Sequence, residues 1–210
     1  MSNSATTAHQ VASINRFIRA TADAYPGRIV PMATLHPDLE DMDAALDEIV
    51  AGGFAGIKLH PEFQDFRVDE PRAVRMFRKI GARLPVLLHC GDAVRDHSAP
   101  ERILRLLDRA PEIRLICAHL GGWQVWERAS AVLTGADVWV DTSSALYALS
   151  PERAAEIIRG YGTKRALFGS DFPMWDPGEE LRRFLRLPLE DSERADILWN
   201  NHIRLFQGEK

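Results

Sequence analysis

The sequence predicts an α/β fold: a TIM-type (β/α)8 barrel, incomplete at the N-terminus, with about six parallel strands and outer helices. Three observations predict it. Short apolar runs alternate with helical stripes along the whole chain, which is the signature of a parallel sheet. Run starts recur roughly every 24 to 31 residues, about one βαβ step. Polar, ligand-capable residues close five of the six runs. A barrel gathers strand ends from all round its ring, whereas a doubly wound sheet concentrates its site at one switch point.

The elements follow in order. Met1 to Ala8 is small and polar, with no apolar stretch of the kind a signal peptide needs, and reads as a disordered tail over residues 1–8. Residues 9–210 then form one barrel domain. Val11, Ile14, Phe17 and Ile18 make the first helical stripe. Arg28 to Leu35 reads as the first strand, closed by His36, with Asp38 placed to cap the next helix. Leu39, Met42, Leu46, Ile49 and Val50 form that helix, and Gly52 with Gly53 ends it. The second strand is Phe54 to His60 and the third Pro85 to His89. Ser98 with Glu101 reads as a capping box for the helix of Leu104 and Leu107. Ile113 to His119, Val138 to Ser143 and Arg165 to Ser170 complete the strands. Ser150-Pro151 opens another helix, and Ser192 to Phe206 is the last. Eight βα units need about 250 residues. With 210 residues and a helix first, two strands are expected to be missing at the N-terminus.

Composition bounds the function. A hydrophobic fraction of 46%, a charged fraction of 27% and a formal net charge of -4 describe a globular protein without the basic footprint of a nucleic-acid binder. No apolar stretch approaches about 18 residues, so no membrane partner is expected. Two cysteines, Cys90 and Cys117, sit in apolar runs and make no disulfide framework; a cytoplasmic setting is expected.

The chemistry is expected at strand ends. His89 and His119 each close a buried strand, and Asp171 closes a third. Two imidazoles and a carboxylate at one mouth suit a divalent metal, Zn foremost. Such a metal lowers the pKa of bound water, and His119 or Asp171 on the same rim can move the proton. Lys58 and His60 share a strand face through the period of two. Lys58 is either a carboxylated lysine bridging a second ion or the partner of a carboxylate such as Asp171. His60 either faces substrate or caps its strand. Asp141, opening the polar run to Ser144, either meets substrate or satisfies neighbouring loops. Trp123, Trp126 and Trp175 follow strand ends and either wall a pocket or pack. Gly121 and Gly122 could turn backbone N–H groups toward an anionic substrate.

The motifs GIKLHP, LLHCGD, AHLGG, DTSS and GSDFP, in that order, resemble the amidohydrolase superfamily, in its amidohydrolase-related branch of metal-dependent TIM-barrel hydrolases. The likeness runs from Val11 to Phe206. It implies that His89 and Asp171 bind metal, that His119 is a ligand or the catalytic acid/base, and that Lys58 stands where two-metal members carry a carboxylated lysine. One ion is the usual complement of such branches. The resemblance also implies a small-molecule substrate: hydrolysis of an amide, ester or lactone, with non-oxidative decarboxylation or hydration as the alternative. The His-x-His pair of the family's first strand is absent, so a truncated, catalytically inactive member is a third reading. Unpaired outer strands would favour a homo-oligomer.

Overall fold

Five of the helices begin with proline in their first turn, which marks where those helices start. The computed structural model describes residues 1–207. Strands β1 (Met32–Ala33), β2 (Gly56–Leu59), β3 (Val86–Leu88), β4 (Leu115–Cys117), β5 (Trp139–Asp141) and β6 (Ala166–Leu167) form a six-stranded sheet whose order follows the sequence. β1 with β2, β2 with β3, β4 with β5 and β5 with β6 pair in parallel, with Met32 opposite Gly56, Lys58 opposite Leu87, Ile116 opposite Trp139 and Val140 opposite Ala166. Sequential parallel pairing is the strand order of a (β/α)8 barrel, and six of its strands are present among the described residues.

The helices are α1 (Val11–Ala24), α2 (Met42–Ala51), α3 (Pro61–Gln64), α4 (Pro71–Ile80), α5 (Pro100–Arg109), α6 (Trp126–Leu133), α7 (Pro151–Tyr161), α8 (Pro177–Leu185), α9 (Asp191–Ala195) and α10 (Asn201–Gln207). Proline's fixed φ suits the first helical position, where its missing N–H is no loss; α3, α4, α5, α7 and α8 all use it. Ser150 caps α7 as expected, its hydroxyl accepting from Arg153 N–H at 3.2 Å. Asp38 does not cap α2. Asp41 does, accepting from Ala44 N–H at 3.1 Å, while the Asp38 carboxylate pairs with Arg72. The final helix is not continuous: a π-helical turn, Asp196–Asn200, separates α9 from α10.

Two compact units divide the chain: residues 1–89, 95–98 and 102–115, and residues 90–94, 99–101 and 116 onward. In the first, Ile57, Leu59, Val86 and Leu88 from the strands are fully buried, with Ile18, Phe77, Ile80 and Ile103 from the helices. Each such side chain contributes about 1.5–3 kcal/mol through removal from water. The N-terminal residues lie along β1 here. Met32 N–H donates to Met1 O at 2.9 Å, and Ala5 is fully buried with its N–H on Thr34 Oγ1 at 3.2 Å. These are the residues read from the sequence as a tail.

In the second unit Val140, Ala166, Ile158 and Phe184 are fully buried, and the rings of Phe168 and Phe184 meet edge to face at 5.6 Å. Ion pairs tie helices and their flanks together: Lys79 to Asp43 and Arg83 to Asp47 in the first unit, Arg153 to Glu127 and Arg159 to Glu193 in the second. Exposed as they are, they contribute little individually. No helix among the described residues is long and apolar enough to cross a membrane.

Candidate functional site

In the first unit β2 ends at Leu59, and α3 starts at once with Pro61, so only His60 lies between strand and helix. Gln64, 1% exposed, locks this turn. Its Oε1 accepts from His60 N–H at 2.7 Å, and its Nε2 donates to Ala5 O and Leu35 O at 2.8 and 2.7 Å. The single helical turn carries Glu62, 3% exposed, beneath two imidazoles. Glu62 Oε2 lies 3.7 Å from His60 Nδ1 and 4.0 Å from His89 Nε2. His89 follows β3, and its N–H donates to Leu59 O at 3.0 Å. The rings of His60 and His89 are stacked at 3.8 Å, and Phe63 stacks on the other face of His60, also at 3.8 Å. Glu62 Oε1 accepts from Ser98 N–H at 3.0 Å and Ser98 Oγ at 2.5 Å. Burial pushes the Glu62 carboxyl up from its ordinary value, and the Ser98 hydrogen bonds oppose that shift only in part. Its Oε2 accepts no hydrogen bond. The ligand atoms of His60, Glu62 and His89 all lie within 4.8 Å of one another, close enough that the three could gather on a cation.

In the second unit His119 follows β4. Its N–H donates to Asp141 Oδ1 at 3.0 Å, and the same oxygen accepts from Ser143 N–H and Oγ at 3.0 and 2.5 Å. His119 Nδ1 sits 2.9 Å from both Ser143 O and Ser143 Oγ. The carbonyl can only accept, and the hydroxyl proton is already given to Asp141, so Nδ1 must carry a proton. In the neutral ring that places the lone pair on Nε2. Asp171, exposed at the end of the β6 run, accepts from Ser144 Oγ at 2.7 Å, and Trp175 Nε1 donates to Ser144 Oγ at 3.0 Å. Tyr147 stacks on Trp175 at 4.5 Å, and Trp126 donates through Nε1 to His119 O at 3.1 Å. Left-handed backbone gathers here: φ is 61° at His119, 53° at Leu120, 47° at Ser144 and 59° at Asp171. Such strain in non-glycine residues persists where surrounding contacts over-determine it, a common feature of functional loops.

Several expectations receive a definite placement. His60 and His89 share one cluster; His119, Asp141 and Asp171 lie among the serines of the other. Lys58 is half-buried in β2. Gly121 and Gly122 do not offer free donors, since their N–H groups already bond Ala118 O and His119 O at 3.1 and 3.2 Å. What Gly122 supplies is closeness: a Cβ on Gly91 would lie 2.7 Å from the Gly122 backbone, so the two loops touch main chain to main chain. Glu62 escaped the sequence reading. Its signal was Pro61 directly after a strand-end histidine, which forces a helix to begin and turns the next carboxylate back over the strand end.

No curated protein matches the chain. Among solved structures, an uncharacterized TIM-barrel protein from Bordetella bronchiseptica is 24% identical with a TM-score of 0.79, over 92% of this chain and 72% of that one. A dihydroxybenzoic acid decarboxylase from Polaromonas sp., with bound manganese and the inhibitor 2-nitroresorcinol, is 17% identical with a TM-score of 0.74, over 95% and 75%. A putative 2-pyrone-4,6-dicarboxylic acid hydrolase from Pseudomonas putida is 20% identical with a TM-score of 0.70, over 93% and 78%. At these identities the likenesses show the fold. The model of the amidohydrolase family matches residues 1–208, and the chain belongs to that family.

Proposed function

We propose that the chain is a divalent-metal-dependent hydrolase of a small amide, ester or lactone, with its chemistry at the strand ends. The observation that carries this reading is His119: a buried imidazole in a fixed tautomer, held from behind by Ser143 and Asp141 on a left-handed backbone. An imidazole so oriented can take a proton from water at Nε2 and return it to a leaving group. Asp141, whose Oδ1 is committed to three donors, positions His119 and Ser143. His89, Asp171 and His119 are the residues proposed to hold or serve the cation, with Zn as the candidate ion. The donor set fits: imidazole nitrogen and carboxylate oxygen are borderline-to-hard ligands, and the buried Glu62 oxygen beside His89 accepts no hydrogen bond. When bound, the ion supplies Lewis acidity toward the substrate's carbonyl or carboxylate. One ion is proposed, with Lys58 as the bridge to a second where that lysine is carboxylated. The two buried cysteines, neither of them in a disulfide, suit a reducing, cytoplasmic setting.

A lyase reading is favoured by one feature, the aromatic stack of Tyr147 on Trp175 beside Ser144 and Asp171, with Arg183 lying 5.2 Å over the Trp175 ring. Flat aromatic walls beside a guanidinium suit an aromatic acid, whose decarboxylation would use His119, once protonated from solvent at Nε2, as the proton donor to carbon. The two readings separate on product. Incubating the metal-supplemented chain with panels of lactones, amides, esters and aromatic carboxylates should release acid in the first case and carbon dioxide in the second. In either case His119→Asn should lower kcat by more than about a hundredfold. Unchanged turnover in that variant would remove His119 from the chemistry.

A further inference from the structure

Glu62 is a buried carboxylate with one oxygen anchored and the other aimed at two imidazoles. Ser98 holds Oε1 through two hydrogen bonds. Oε2 accepts none, yet lies 3.7 Å from His60 Nδ1 and 4.0 Å from His89 Nε2. A direct charge-assisted bond from either imidazole would draw the pair in to about 2.8 Å. Neighbouring ligands on a tetrahedral or octahedral ion with bonds near 2.1 Å sit roughly 3–3.4 Å apart. The observed Oε2 distances are thus too long for a hydrogen bond and roughly 0.3–1 Å wider than a shared ion imposes.

Each donor is also oriented from outside the cluster, as ligands usually are. Gln64 fixes the backbone of His60, Phe63 fixes its ring, Ser98 fixes Glu62, and Leu59 O holds the backbone of His89. We infer that His60, Glu62 and His89 form a divalent transition-metal site of two nitrogens and one carboxylate, with Glu62 as the oxygen ligand. That is a three-ligand arrangement suited to Zn and chemically similar ions, with positions open for water or substrate. Closing it requires the stacked rings, now 9° from parallel, to fan toward Oε2. The inference rests on the function proposed above for His89 and adds two ligands, His60 and Glu62, from the turn after β2.

The test is metal binding by the full chain, stripped with chelator and titrated with Zn²⁺ and Co²⁺. Calorimetry gives affinity, elemental analysis gives stoichiometry, and the visible Co²⁺ bands report ligand geometry. One ion per chain is expected. Glu62→Gln and His60→Asn should each weaken it by more than about tenfold and alter the Co²⁺ spectrum, while Asp43→Asn, at an exposed carboxylate on α2, leaves both within about threefold. Circular dichroism establishes that each variant is folded; should Glu62→Gln fail to fold, His60→Asn decides alone. Wild-type affinity in the Glu62 and His60 variants, or no ion bound by the wild type, overturns the inference. Loss of the ion in Asp171→Asn with retention in Glu62→Gln overturns it too, and leaves the proposed function standing. Failure of that function would show separately, as a metal-loaded chain without turnover on any panel.

Discussion

Tyr161 shows how a single buried group tests the packing of the second unit. It closes α7, is 8% exposed, and its hydroxyl has no hydrogen-bond partner. Burial pushes its phenol well above the ordinary range, and the neighbouring Cys117 and Cys90 add to the shift. A desolvated, unpaired hydroxyl costs about 1–3 kcal/mol, so Tyr161→Phe should stabilise the chain by about 1 kcal/mol, read as a higher midpoint in urea. A destabilised variant would reveal a partner for that hydroxyl. At this scale the sequence was legible wherever a side chain's role follows from its place on a strand. His60, His89, His119 and Asp171 stand out because each closes an apolar run. Glu62 was not legible, because its role depends on a single helical turn starting at Pro61 and on Ser98, 36 residues away. Asp141 was half legible. Its strand end is visible, but its grip on His119 spans 22 residues and needs the parallel pairing of β4 with β5.

Helices and loops carry the next level, and Asp69 is its test. The carboxylate is buried on the loop before α4 and takes Arg102 Nη1 at 2.6 Å and Arg105 Nε at 2.7 Å, while Arg109 Nη1 donates to Asp69 O at 2.6 Å. Three arginines on α5 thus clamp one loop. Burial raises the Asp69 carboxyl, but the hydrogen bonds and charges of Arg105 and Arg102 outweigh it and hold the group below its usual 3.8. A depressed folded-state pKa stabilises above the unfolded value and is lost as pH falls through the folded one. Asp69→Asn should therefore cost about 2 kcal/mol near neutrality, discounted for the half-exposed Arg105. That deficit should shrink as pH falls below the usual 3.8 and through the lower folded-state value. Urea unfolding of both proteins across that window measures it, and a pH-independent difference would show the clamp to be steric. Element identity was legible in the sequence and element length was not. The run Arg28 to Leu35 keeps only Met32–Ala33 as strand, since the Tyr25–Arg28 turn takes its start and Pro31 cannot donate to a ladder. Ser192 to Phe206 reads as one helix, but the π-helical turn at Asp196–Asn200 interrupts it, a register change that apolar periodicity does not encode.

For the whole molecule, strand order was the most legible property, because strict alternation and right-handed crossovers leave sequential parallel pairing as the natural outcome. What alternation cannot say is how the outer strands β1 and β6 meet their surroundings. At β1 the answer is local: Met1 O accepts from Met32 N–H, and the Met1 ammonium donates to Val30 O at 2.7 Å. At β6 the answer is different. This strand ends the sheet order with two residues, and beyond it Phe168 N–H turns to Ile197 O at 3.1 Å. Around that segment large apolar side chains stand in solvent: Phe172 and Met174 are each 72% exposed and Trp199 is 65% exposed. Isolated apolar residues on a surface are ordinary, but a concentration of large ones marks an association surface. A sheet end with backbone groups to offer adds a directional component. The second unit is therefore expected to mediate self-association of the chain. Light scattering coupled to size exclusion should give a mass above the 23.6 kDa of one chain, rising with concentration. Trp199→Lys combined with Met174→Lys should return the mass toward that of a single chain, since two charges placed at a buried contact cost more than the contact returns. A monodisperse monomer for the unmodified chain, or an oligomer indifferent to both substitutions, would place the association surface elsewhere or remove it.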